Sequence, residues 1–427
     1  MIDYDPMSPL VKQSSHEVFS RMRAECPLHR HRMPQEAQER QAASYMVASP
    51  TEEFWSVFRY DDVVRVLQSE EFSSMEGPGP ERMDLMGTDG MLMWADSPTH
   101  RRQRQIANRA FLPKRVAERV STIQAGVDRL IDELGPRGRA DIVDDLGIPL
   151  TLQMLTAMFG AGGDRIDDLA RWGHAAMTTL GGTPEEAEVG AAAAMEMFGF
   201  LAGEIETRRA AIAQGREPTP GALTDLILAE HEGTRFADEE ILMASNQFLV
   251  AGFETTATAV GNAIWLMASY PEERKKLEQD WSLLDQAIEE ILRFEPPLEG
   301  VFRTAKETVT LQGEDLSPRT KTRAVFASAN RDEQRFADPH TFRIDRPMAE
   351  LRQHLAFGHG KHVCLGAALA RVELTAALRT ILTRLPDIAL DPDQPPTRWP
   401  TLTSSGFRHV PVVWDSDLVR PAGEGAP

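Results

Sequence analysis

Cysteine is almost missing from this chain: Cys26 and Cys364 are the two in 427 residues. So far apart, they form no disulfide framework, and such sparing use suits a reducing compartment. Positive charge is also short. The net charge of −19 makes nucleic acid and anionic membrane poor partners. The opening Met-Ile-Asp-Tyr-Asp-Pro has neither the basic n-region nor the apolar h-region of a secretory signal. A cytoplasmic location is therefore expected. No internal repeat is visible, which argues against a solenoid or propeller. What remains is an ordinary globular composition, 42% hydrophobic and 26% charged, with enough length to bury a large core.

Helical periodicity dominates. Patterns run over 15–25, 113–134, 146–159, 164–180, 184–213, 222–230 and 285–294. Short strand signals lie at 55–58, 301–304, 309–312, 323–327 and 410–414. The expectation is one domain over 1–427, mainly α with small β sheets, with a loose arm at 1–14 and a loose tail at 415–427. The longest apolar stretch, 241–269, carries one charge, Glu254. Its length passes the threshold for a membrane span. Asn246, Gln247, Glu254, Thr255, Thr256 and Asn262 in its middle would be costly in lipid. It is read instead as the buried axle of the molecule, roughly 43 Å long at 1.5 Å per residue. A loop over 73–93 holds Met75, Met83, Met86, Met91 and Met93, an adaptable apolar lining.

The stretch from Phe357 to Gly366 reads Phe-Gly-His-Gly-Lys-His-Val-Cys-Leu-Gly and runs into a helical pattern. Gly358 and Gly360 permit positive φ, so the chain can fold back tightly beneath a flat ligand. Gly366 leaves no Cβ beside it. The helix start after Cys364 offers unpaired N–H groups that favour thiolate over thiol. Such a thiolate is a donor to an axial position of a haem iron, although Cys364 taken by itself reads equally as a buried free cysteine.

Phe-Gly-x-Gly-x-His-x-Cys-x-Gly closely resembles the haem-binding loop of the cytochrome P-450 family, the haem-thiolate monooxygenases. The resemblance implies haem b between a long central helix and the Cys-loop helix. It implies Cys364 as iron ligand, Phe357 packed near the sulfur, and His362 directed at a haem propionate. Ala251-Gly-Phe-Glu-Thr-Thr256 is similar to the family's oxygen-activation segment. There dioxygen must gain two protons before its O–O bond breaks. A Thr255 hydroxyl bonded back to Ala251 would open the helix, and Glu254 would relay protons. His100 and Arg104, one helical turn apart after Ser97-Pro98, match the propionate clamp, as does Arg303. Glu290-Ile-Leu-Arg293 matches the Glu-x-x-Arg lock. Its third member is expected from His340 or Arg343, because Thr341 stands where relatives carry Arg.

The implied activity is insertion of one oxygen atom from O2 into an apolar small molecule: a terpenoid, steroid, fatty acid or aromatic compound. The pocket is expected to use Met86, Gln247, Val250, Ala251 and Thr403. Electrons would come from a separate ferredoxin or flavodoxin. Its dock would be the acid-free run 100–117, with Arg101, Arg109, Lys114 and Arg115. The enzyme is expected to be a monomer. A peroxide-driven enzyme of the same fold and a haem-based sensor without turnover are the alternatives.

Overall fold

The computed structural model describes residues 4–6, 8–32, 53–74, 92–160, 165–178, 184–399 and 403–423. The methionine-rich segment 75–91, Met86 included, lies outside the described residues.

The helix Asp238–Ser269 is the axle of the larger core. It starts three residues before the apolar run because Asp238, Glu239 and Glu240 fill its first turn, where acids complement the helix dipole. The Glu240 carboxylate also accepts the Ala237 N–H at 3.0 Å. Pro271 follows at once and stops the helix. Around the axle pack the helices Ile148–Phe159, Ile166–Thr178, Pro184–Ala213 and Ala367–Arg384. The stretch Ile142–Phe159 is long and apolar enough to cross a membrane, yet 67% of it is buried inside the fold.

A second core lies against a five-stranded sheet in the order Leu28–Arg32, Glu53–Val57, Lys321–Val325, Gly300–Ala305 and Phe72–Ser73. Glu53–Val57 pairs parallel with Lys321–Val325, and the other neighbours are antiparallel. The first strand, Leu-His-Arg-His-Arg, has no apolar alternation. Its partner decides the matter: Arg30 pairs with Glu53 at 2.7 Å, and the His31 ring packs 5.1 Å from Phe54.

Three expectations need correcting. The pattern over 113–134 is two helices, Pro113–Ala117 and Val120–Leu134. The arm at 1–14 is not loose where it is described. Tyr4 is buried, Pro9–Gln13 is helical, and Lys12 reaches Glu299 at 2.5 Å. His16, in the next helix, meets Glu295 at 3.1 Å. The described part of the tail, 415–423, is tied as well, since Arg384 Nε donates to the Arg420 carbonyl at 2.7 Å.

Candidate active site

The cysteine loop folds as its glycines demand. Gly358 and Gly360 sit at φ +73° and +72°, a region costly to any residue with a Cβ. The turn closes when the Cys364 N–H donates to the Phe357 carbonyl at 2.8 Å. The helix Ala367–Arg384 then begins, and the N–H groups of Gly366 and Ala367 bond the sulfur. Cys364 itself keeps exposed surface. Burial of its surroundings nevertheless pushes the thiol up, against those N–H groups, Arg104 and Arg371. The helix start alone therefore does not secure the thiolate; a cation on the sulfur would supply the missing charge.

Residues that sequence reasoning missed brace this loop. The Arg371 guanidinium lies 4.5 Å over the Phe357 ring and donates to Glu289 at 2.8 Å. His354 meets the same carboxylate at 3.0 Å. Burial would raise Glu289, but hydrogen bonds from Arg371 and His354 take it down to about 2. Arg371 lies seven residues past the cysteine, and that spacing, two helical turns, was the available signal.

Four basic side chains converge beside the loop. The rings of His100 and His362 stack with centroids 3.9 Å apart. Arg104 donates to the Val363 carbonyl at 2.7 Å, and Arg303 donates to the Phe302 carbonyl at 2.7 Å. Burial, reinforced by the neighbouring cations, lowers His100 to about 4 and His362 to about 2. Burial lowers Arg303 to about 10. Among the described residues Asp96 is the acid nearby, and it is occupied by the Ser73 hydroxyl at 2.5 Å and the Ser74 N–H at 3.1 Å. The Nε2 atoms of His100 and His362 are buried with no hydrogen-bond partner among the described residues. Such orphans are costly. A ligand bearing two carboxylates would satisfy both nitrogens and balance the charge.

The core helix has an accessible patch halfway along. Ala251 is exposed, and Val250, Glu254 and Thr255 keep partial exposure, while residues 241–249 and 256–264 are buried. The Thr255 hydroxyl donates to the Ala251 carbonyl at 2.7 Å. The helix does not open there, contrary to expectation, and stays α-helical throughout. The hydroxyl shares the carbonyl's second lone pair and need not displace the backbone bond. Glu254 accepts from the Ser404 hydroxyl at 2.8 Å. Burial raises it to about 7, with the serine acting in the opposite direction. Gln247 is buried and accepts the Met93 N–H at 3.4 Å. Thr403 is half-buried, with its carbonyl taken by the Glu299 N–H at 2.6 Å.

The lock differs from expectation. Glu290 and Arg293 are fully buried and doubly bonded at 2.7 and 2.8 Å. The third member is Arg346, also fully buried, whose Nε donates to Glu290 at 3.0 Å. His340 is instead half-exposed against Glu333 at 2.9 Å. The Arg343 side chain turns to Asp345 at 3.2 Å, and only its backbone N–H reaches Glu290. Arg346 can reach because the turn at 338–341 puts the Asp338 and Thr341 carbonyls under its guanidinium, at 2.6 and 2.9 Å.

Of the basic run, Arg101, Arg109 and Lys114 are exposed. Arg115 is committed to Asp225 at 2.6 Å and Glu118 at 3.2 Å, so it adds less to an open patch than its charge suggests.

A family model described as Cytochrome P450 matches residues 182–405. The cytochrome P450 monooxygenase PikC of Streptomyces venezuelae is 32% identical over 93% of this chain and 91% of its own length. A steroid C26-monooxygenase of Mycolicibacterium smegmatis is 33% identical over 80% of this chain and 83% of its own. The solved structure of cytochrome P450 CYP109Q5 from Chondromyces apiculatus superposes with a TM-score of 0.83 at 27% identity, covering 98% and 99% of the two chains. A cysteine loop under a basic cluster with two orphaned imidazoles fits the haem-thiolate cofactor of these relatives, and the chain belongs to the cytochrome P450 monooxygenases.

Proposed function

We propose that this chain hydroxylates an apolar small molecule, inserting one oxygen atom from O2 with electrons from a separate ferredoxin or flavodoxin. Haem b, when bound, supplies the redox chemistry that activates oxygen. Cys364 is its iron ligand in this reading, with Phe357, Gly358 and Gly366 shaping the loop around it. His100, Arg104, Arg303 and His362 bind its propionates. Ala251 leaves space above it. Arg371 and Glu289 hold the loop helix and Phe357 in place.

The observation that carries the reading is the Thr255–Ala251 bond of 2.7 Å beside a half-buried Glu254 whose carboxyl burial raises to about 7. An acid poised there holds a proton at neutral pH and can still release it, the condition for effective general acid work. The Thr255 hydroxyl gives its one proton to the Ala251 carbonyl and so presents oxygen lone pairs to the site; to pass a proton toward the reacting oxygen it turns from that carbonyl and takes a replacement from the Glu254 side. Gln247, Val250 and Thr403 line the substrate side. Among apolar classes, a steroid gains support from the mycobacterial relative named for one. The exposed Arg101, Arg109 and Lys114 steer the acidic electron donor. The enzyme is read as a cytoplasmic monomer.

Reduced protein under carbon monoxide should give the absorption band of a thiolate-ligated haem, and Cys364→Ser should abolish it. Thr255→Ala should keep haem and substrate binding but divert electrons to hydrogen peroxide. Undiminished product per electron in Thr255→Ala would remove Thr255 from the proton route.

A further inference from the structure

We infer that Ser404 is a positioning residue for Glu254: its hydroxyl fixes the carboxyl group of the proton route in one orientation and favours release of its proton. The inference rests on the relay proposed above. Ser404 is 2% exposed, and its Oγ lies 2.8 Å from Glu254 Oε1.

The serine cannot drift, because the backbone around it is fixed from three directions. Ser404 bridges Leu298 in antiparallel register. The Glu299 N–H donates to the Thr403 carbonyl at 2.6 Å, and the Ser405 N–H to the Pro297 carbonyl at 2.9 Å. Asn262 of the core helix donates to the Glu295 carbonyl at 2.9 Å and accepts the Phe407 N–H at 3.1 Å. Gly406 makes the approach possible, since a Cβ there would lie 2.1 Å from Thr258 Cγ2. The segment 403–407 is thereby pressed onto the core helix one turn beyond Glu254.

Among the described residues no charged partner competes for the carboxyl group. The charged groups on the elements packed on the core helix include Asp144, Arg171, Glu196, Arg371, Glu373 and His409. None of them contributes to the ionisation of Glu254, which is set by burial and, in opposition, by Ser404. A hydroxyl donor favours the ionised form without trapping it as a cation would. Removing the donor should therefore leave an acid that holds its proton more tightly and samples other rotamers.

The test is an infrared pH titration of the carboxylic acid C=O stretch in the haem-loaded protein, with Glu254→Gln identifying the band. Ser404→Ala should raise the midpoint by about one pH unit. It should also lower product formed per electron by about threefold. Ser404→Thr, which keeps a hydroxyl, should restore both. If Glu254→Gln uncouples turnover but Ser404→Ala leaves midpoint and coupling unchanged, the Ser404 assignment alone falls. If Glu254→Gln keeps wild-type coupling, the relay falls and Ser404 loses its purpose with it.

Discussion

Two kinds of buried glutamate sit within this molecule, and their partners separate them. Glu290 rests between Arg293 and Arg346 at 2.7 and 3.0 Å. Glu299 lies between Lys12 and Arg323, both at 2.5 Å. Glu295 is held by Arg398, with His16 at 3.1 Å. Burial raises Glu295 and Glu299, but these cations more than reverse it, and both carboxyls end well below the usual range. Glu254, less deeply buried at the partly exposed patch of the core helix, has a serine hydroxyl in place of a cation and rises to about 7. Glu295 and Glu299 are fixed charges that hold segments together, and Glu254 is a group able to change its charge. Glu373 on the loop helix belongs with Glu254: burial lifts it to about 8, and no described residue bonds it.

The comparison breaks most visibly at the lock. Arg346→Ala leaves a buried carboxylate with half its compensation and strands the Ala337, Asp338 and Thr341 carbonyls. A loss of about 3–5 kcal/mol is expected in denaturant unfolding; a loss below about 1 kcal/mol would mean that the two kinds of acid do not differ. Glu254→Gln should act in the opposite direction. Its folded-state value, about 7, stands above the ordinary 4.5, so the native state retains a proton that the unfolded chain gives up. That penalty grows as pH rises past the ordinary value and is complete above about 7. The Gln variant should therefore match wild type near pH 4 and exceed it by about 1–3 kcal/mol at pH 8, read from unfolding midpoints across pH. The smallest effect sets the baseline. Arg129 and Glu133 pair at 2.6 Å but stay about half exposed, and Arg129→Ala should change stability by no more than about 0.5 kcal/mol. A larger change there would mean that proximity, rather than burial, governs all these pairs.

How much of this was legible depended on whether a residue's neighbours were local. The core helix could be read because apolar residues surround it on all sides, and the cysteine loop because its glycines are spaced for one backbone path. The bond from Thr255 to Ala251 spans four residues of one helix, so sequence alone could propose it. The break between Pro113–Ala117 and Val120–Leu134 was hidden because Val116, Val120 and Ile123 keep helical spacing across it. Val120 proves 46% exposed, off the face that the spacing implied. The strand Leu28–Arg32 and the role of Arg346 depend on partners far along the chain. The same is true of Ser404, 150 positions from Glu254, and no local pattern marks any of the three.

The anchored start of the chain carries a practical lesson. Tyr4, Lys12 and His16 act as a plug seated under residues 295–299, the same run that continues into the strand bearing Arg303. Trimming that end, or burdening it with a fused tag, would strip the Lys12 cation from Glu299 and the His16 ring from Glu295, and loosen the floor on which a propionate-binding arginine stands. Changes made twenty or more residues from any motif could then weaken cofactor retention.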